Sequence, residues 1–256
     1  MPFRSLRSAG TAVMRACGYG SAMSEPVTST VDDGVAVIRL DDGKMNAISH
    51  AVIEQLHAAL DKAEGDATAV CIVGNQKALS AGFDLSVMTA GNVEGVRDLV
   101  SAGAKLVMRI YGHPQPTVVA VTGHALAAGA LVVLACDTRI AADRASKIGL
   151  NEVAIGMALP QFAVELSRER LSKRYATRAT VQAEIFDPRG AEAAGYVDQV
   201  VPEADCEAAA VAEARRLGQL SSGAYGATKR SLRQATIDAV LSGLDADMAA
   251  ILGPPA

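Results

Sequence analysis

Short apolar, β-branched runs alternate with helix-patterned segments over residues 31–201, and helix-patterned segments alone follow. Strands that alternate with helices bury a sheet beneath those helices, and a closing run of helices has to pack beside that layer. The pattern therefore predicts an α/β fold with a helical C-terminal appendage. Val35–Leu40 reads as a strand ended by the turn Asp41-Asp42-Gly43. Ser49 is the N-cap of a helix running to about Lys62, with Ile53, Leu56 and Leu60 on its buried face. Residues 69–74 and 117–122 read as strands without polar interruption. A helix over Ala128–Ala135, strands over 138–142 and 147–150, and a helix from about Pro160 follow. Asp187-Pro188 opens a helix that Gly195 closes, and residues 196–201 return as a strand. Residues 203–220 and 227–244 are helical and alanine-rich. No fixed-period repeat or low-complexity linker interrupts the chain.

Composition narrows the function classes. At 256 residues, half of them hydrophobic, the chain has enough material for a large core, and a formal net charge of −4 gives no global attraction to nucleic acid. The longest apolar run, residues 125–136, falls short of the roughly 20 residues a membrane-spanning helix needs. Cys17, Cys71, Cys136 and Cys206 lie far apart with no CxxC pair, and His50, His57, His113 and His124 form no pair with metal spacing. Reduced thiols, no metal and a cytoplasmic protein are the expectation. Residues 1–24 carry Arg4, Arg7 and Arg15 with no acid before Glu25. That composition fits an organelle transit peptide; a disordered extension, or a start upstream of Met23, fits it as well and is the reading adopted here.

Two glycine-containing strand-to-helix junctions are the candidate places for the chemistry, although either one alone reads as a simple turn of the chain. One is Leu79-Ser80-Ala81-Gly82-Phe83-Asp84-Leu85, and the other Thr122-Gly123-His124-Ala125-Leu126-Ala127-Ala128-Gly129-Ala130. Small residues let a ligand approach the backbone, and the first turn of a helix leaves amide groups unsatisfied. Two such turns facing each other make an anion site from main-chain N–H groups. Neither matches a GxGxxG fingerprint or a P-loop.

With Lys44-Met45-Asn46-Ala47-Ile48 before them, and Cys136-Asp137 and Ile148-Gly149-Leu150-Asn151-Glu152-Val153-Ala154-Ile155-Gly156 after them, these junctions resemble the enoyl-CoA hydratase/isomerase (crotonase) family in order and spacing. Residues 191–201 look like that family's lead into its C-terminal helices, and the resemblance spans residues 31–229. It implies a spiral of ββα units as a core over residues 25–201, and a helical trimerisation region over 202–256 in trimers that often pair into hexamers. It implies an acyl-CoA substrate, coenzyme A being part of that substrate and no separate cofactor being required. It places oxyanion-hole amides on Phe83 and Ala128, and CoA contacts around Met45, Ala47, Ala81, Phe83 and Leu85. Lys229 is the candidate for the CoA phosphates.

The carboxylate count separates reactions within that resemblance. Hydratases of the family hold one water between two glutamates; here the first position is Leu131 and the second is Glu152. A single carboxylate still moves a proton between C2 and C4 of a bound acyl chain, so the resemblance points to Δ3,Δ2-enoyl-CoA isomerisation. Atypical hydration, thioester hydrolysis and a non-catalytic CoA- or RNA-binding relative are the alternatives. Leu131, Ile155 and Met157 are the expected apolar neighbours that raise the pKa of Glu152. Asp84 reads as a helix cap, Asp137 as structural, and Glu94 or Asp98 as the fallback base. The basic run Arg168, Arg170, Lys173, Arg174 and Arg178 reads as a solvated or subunit-facing helix, interleaved as it is with Glu165 and Glu169. Residues 86–112, with Gly91, Gly95 and Gly103, read as a mobile lid.

Overall fold

The computed structural model of the chain describes residues 25–254; the extension reading and Cys17 lie outside them. In chain order the elements are β1 (Val27–Asp32), β2 (Val35–Leu40), α1 (His50–Asp66), β3 (Ala69–Val73), β4 (Ala78–Ser80), α2 (Leu85–Met88), α3 (Val93–Tyr111), β5 (Thr117–Val121), β6 (His124–Leu126) and α4 (Ala128–Ala135). There follow β7 (Thr138–Asp143), β8 (Ile148–Gly149), α5 (Gln161–Arg170), α6 (Ala176–Thr180), α7 (Pro188–Ala194), β9 (Gln199–Pro202), α8 (Cys206–Gly218) and α9 (Ser222–Leu252). Single 3₁₀ turns at Val153–Ile155 and Glu203–Asp205 precede α5 and α8.

Two sheets form among the described residues, in the orders β1-β2-β3-β5-β7-β9 and β4-β6-β8. Three times the chain lays a strand in the large sheet, turns, and lays the next in the small one: β3 then β4, β5 then β6, β7 then β8. This is the ββα spiral of the crotonase fold, repeated in space without a repeat in sequence. Every pairing except β1–β2 is parallel.

The strands lack polar alternation because the large sheet is covered on both faces. Val70 and Ile72 of β3, with Val119 and Val121 of β5, join the core shared with α1, α3 and α4. Their neighbours Cys71, Val73, Val118 and Ala120 point the other way, onto Ala210 and Ala214 of α8. Cys71, Cys136 and Cys206 are free and buried. No helix among the described residues is long and apolar enough to cross a membrane.

Several boundaries depart from the sequence reading. β1 begins before residue 31, at Val27; Thr28, Ser29 and Thr30 hide its apolar signal, and the Asp33-Gly34 turn hairpins it onto β2. The last strand begins at Gln199, because Tyr196 and Val197 pack into the core as Gly195 ends α7. Residues 227–244 are the middle of a longer helix, α9. Residues 86–112 are not a free lid: α3 buries one face, including Leu99, Ala104, Leu106 and Ile110, against α1, α4 and α9.

A buried ion cluster fastens α9 to the sheet. Asp137, just after α4, accepts from Thr117 N at 2.9 Å, Lys229 Nζ at 2.7 Å, Tyr225 OH at 2.8 Å and Arg233 Nη1 at 2.6 Å. Burial alone raises a carboxyl pKa, but Lys229 and Arg233 outweigh it and hold Asp137 below its ordinary value. Asp137 is the structural residue the sequence suggested. Removing its charge strands two buried cations, so Asp137→Asn is expected to lower stability by about 3–5 kcal/mol in urea unfolding. A loss below about 1 kcal/mol, the worth of an exposed pair, would show that the cluster does not hold α9.

Candidate active site

The first junction is shaped by the segment running beside it. Ala81 N donates to Met45 O at 2.9 Å, Ile48 N to Gly82 O at 2.8 Å, and Asp84 N to Ile48 O at 3.1 Å. Successive amides of an extended chain point to opposite sides. The Phe83 N–H, lying between Gly82 and Asp84, therefore faces away from that pairing. Asp84 caps α2, its carboxylate accepting from Ser86 N at 2.9 Å. Asn46 holds the neighbouring segment in place: buried, with φ of 52°, it donates its amide to Leu40 O and Ala78 O, each at 2.9 Å. Sequence reasoning passed over that task, although asparagine is a residue that accepts positive φ.

The second junction meets the first backbone to backbone. A Cβ on Gly129 would sit 2.3 Å from Ser80 O, and one on Gly82 would sit 3.0 Å from the Ala127 Cβ and 3.8 Å from Ala128 N. Glycine at both positions lets the turns interlock. Ala127, the residue before α4, has φ of 50°, a conformation that costs a non-glycine residue of order 1–3 kcal/mol. Ala128 opens α4, so its N–H belongs to the first-turn amides that a helix leaves without an internal acceptor.

Glu152 begins the 3₁₀ turn that follows β8. It lines a cavity of about 110 Å³ together with Ala81, Phe83, Leu85, Ala127 and Leu131. Ile155, Met157, Met88, Val100, Pro160 and Phe162 complete the apolar wall, and Asn151 supplies a second polar group. Glu152 is 8% exposed, and its Oε2 has no hydrogen-bond partner. Burial pushes its carboxyl up to about 7, an effect the backbone N–H groups of Glu152 and Asn151 offset only in part. A carboxyl poised there is half ionised near neutrality and serves as a proton carrier.

The fold thus gathers Ala81, Phe83, Leu85 and Glu152 around one cavity, and the residue before Ala128 joins them. Met45 and Ala47 lie, half-buried, on the strand-like segment flanking the first turn. Lys229, the candidate for the CoA phosphates, stands apart from this cavity: its ammonium is buried, donates to Asp137 and Gln115 O, and lines a different groove. Burial, only partly offset by Asp137, pulls its pKa down to about 8. Neither Glu94, paired with Arg97, nor the exposed Asp98 lines the cavity. His124 accepts from Lys147 N through Nδ1, and His57 sits against Arg109. Within the basic run Arg170 is half-buried, bonding Cys136 O and Asp137 O, while Arg168 and Arg178 pair with Glu165 and Glu184. Asn151 belongs to the Glu152 motif but has no role in the sequence reading, while Met88, Val100 and Phe162 carry no local signal of a site and only the fold brings them to it.

Residues 30–251 match the family model described as enoyl-CoA hydratase/isomerase. The chain is 31% identical over 219 residues to human mitochondrial enoyl-CoA delta isomerase 1, covering 84% of this chain and 72% of that protein. A solved enoyl-CoA hydratase/isomerase family protein from Pseudomonas syringae superposes with a TM-score of 0.83 at 43% identity, over 89% of this chain and 96% of that one. A solved enoyl-CoA hydratase from Mycobacterium ulcerans superposes with a TM-score of 0.83 at 37% identity, over 87% and 99%.

The raised Glu152 pKa has a stability consequence. Ionising Glu152 is harder in the folded chain than in the unfolded one, so stability falls as pH rises from about 4.5 through about 7. A shift of this size corresponds to about 3 kcal/mol. Glu152→Gln removes that penalty without changing shape. In unfolding titrations the variant is expected to gain up to about 3 kcal/mol over wild type at pH 8 and almost nothing near pH 4.5. A gain independent of pH would mean that the carboxyl is not perturbed by burial.

Proposed function

Because the chain belongs to the enoyl-CoA hydratase/isomerase family, we propose that it moves the double bond of a 3-enoyl thioester of coenzyme A to the 2-position. The observation that carries this reading is the single carboxylate of the cavity: Glu152 stands in it without a second acid, and the opposite wall on α4 presents the buried Leu131.

In the proposed reaction the Glu152 carboxylate takes a proton from C2. The electron pair of that C–H bond moves into the thioester carbonyl, whose oxygen becomes an enolate. The Phe83 and Ala128 amides hold that oxygen, and the α4 dipole favours its charge. Each such donor is typically worth roughly 3 kcal/mol in the transition state. Glu152 then returns its proton to C4, the carbonyl re-forms, and the double bond lies between C2 and C3. Nothing is oxidised or reduced, and the carboxylate ends as it began. The apolar wall excludes bulk water that would quench the enolate. Backbone around Met45, Ala47, Ala81, Phe83 and Leu85 would hold the coenzyme A portion, and the reaction requires no further cofactor.

Assembly as a trimer or a pair of trimers belongs to the same reading. Leu232 and Leu241 of α9, and Leu220 in the turn between α8 and α9, leave apolar surface exposed, whereas Leu217 and Ile237 are buried within the protomer.

The test is a panel of 2-enoyl, 3-enoyl and 3-hydroxyacyl thioesters of coenzyme A, with products identified by mass spectrometry and NMR. Isomerisation is expected to be the faster reaction. Glu152→Gln should lower it by a factor of roughly 10² to 10⁴ while CoA binding is retained. In wild type, kcat/KM should fall as pH drops below about 7, where the base becomes protonated. Full activity in Glu152→Gln, or hydration outpacing isomerisation, would overturn the reading.

A further inference from the structure

Gly103 stands buried in the middle of α3, where glycine is less stable than alanine because it has more backbone freedom to lose. A Cβ there would sit 2.4 Å from both Cε1 and Cζ of Phe83, and the next nearest atom, at 3.8 Å, is Phe83 Cδ1. The ring edge of Phe83 thus fills the space a side chain at this position would take. Phe83 also lines the active cavity, and so does Val100, one turn earlier on the same helix. The notch in α3 therefore decides how far back one wall of the cavity stands. That cavity is shut at one end: Leu85 and Ile155 are exposed and form its mouth, whereas Val100, Leu131 and Phe162 are buried in the core and close it. Its volume is about 110 Å³. A methylene fills about as much space as a water, about 30 Å³, so about four carbon-sized groups fit.

We propose that the site selects short acyl chains, of about four to six carbons, and that Gly103 sets this limit by seating the Phe83 ring outside the acyl space. The inference rests on the isomerase reading for its substrate. The carbons that reaction touches, C1 to C4, nearly fill the cavity, and a fifth or sixth has to run past the Phe83 ring. Longer tails meet the closed end, and a close-packed interior does not yield several methylenes of space. Gly103 touches no substrate. It acts through the ring, and it is a specificity-determining residue because the ring has one seat. A methyl group at this position drives the ring off α3 and takes room from the end of the acyl chain.

The experiment measures calorimetric binding of butanoyl-, hexanoyl-, octanoyl- and decanoyl-CoA, and kcat/KM for the 3-enoyl thioesters of the same lengths. Wild type is expected to favour the four- and six-carbon ligands over the ten-carbon one by at least about tenfold, since one methylene too many costs a pocket that much. Gly103→Ala should lose about tenfold for the six-carbon ligand relative to the four-carbon one, and adding Phe83→Leu should restore that ratio. A wild type that takes decanoyl-CoA as well as butanoyl-CoA overturns the inference. So does a Gly103→Ala variant that weakens all lengths equally or none, or one whose length ratio the smaller side chain at residue 83 does not restore. If Gly103→Ala fails to fold, Phe83→Leu alone decides: a gain of about tenfold for the eight-carbon ligand relative to the four-carbon one supports the inference, and an unchanged ratio overturns it. Short-chain preference in binding without isomerisation of any 3-enoyl thioester would support the inference and overturn the isomerase reading. Isomerisation at equal rates across all lengths would do the reverse.

Discussion

Where α4 begins, the backbone of one turn lies against the backbone of another, with Ser80 O in the space a Cβ on Gly129 would need. The second contact, between Gly82 and Ala127, completes the interlock and coincides with the strained φ of Ala127. This approach joins β4 to the start of α4 and sets the two candidate oxyanion amides on adjoining turns. Donors fixed in this way need no reorganisation when charge develops, which is the main source of electrostatic catalysis. Because they are main-chain groups, the side chains at Phe83 and Ala128 are free to serve packing.

Glu152 is built on the opposite principle. The amides are fixed by covalent geometry, whereas the carboxylate is tuned by its surroundings, with Leu131, Ile155 and Met157 leaving it poorly solvated. That tuning works against stability at neutral pH, a common cost of placing function in a core. The frame that bears it is elsewhere: Asp137, Lys229 and Arg233 tie α9 to the end of the sheet, and α3 is buried along its length.

Much of this was legible in the sequence, for physical reasons. Strands buried on both faces appear as uninterrupted apolar runs, so β3 and β5 stood out, and α1 and α7 announced themselves through Ser49 and Asp187-Pro188. The ordered motifs identified both junctions and the family. The expected apolar neighbours of Glu152 do line its cavity. What escaped depends on long-range placement. β1 is polar because most of its side chains after Val27 are exposed, and the glycines of residues 86–112 suggested mobility in a segment that α1, α4 and α9 hold down. Nothing local reveals that Lys229 is paired with Asp137, 92 positions away. Asn151 looked like a motif letter until its side-chain oxygen proved to be buried without a donor.

The central claim is that the Phe83 and Ala128 amides converge on a thioester carbonyl. Isotope-edited infrared difference spectroscopy tests it directly, using a saturated acyl-CoA labelled with ¹³C at the carbonyl. Two fixed donors polarise the C=O bond, so the bound band should lie at lower frequency than the same band in water, and equally so in Glu152→Gln. A bound carbonyl at or above its frequency in water would contradict an oxyanion hole at these two turns.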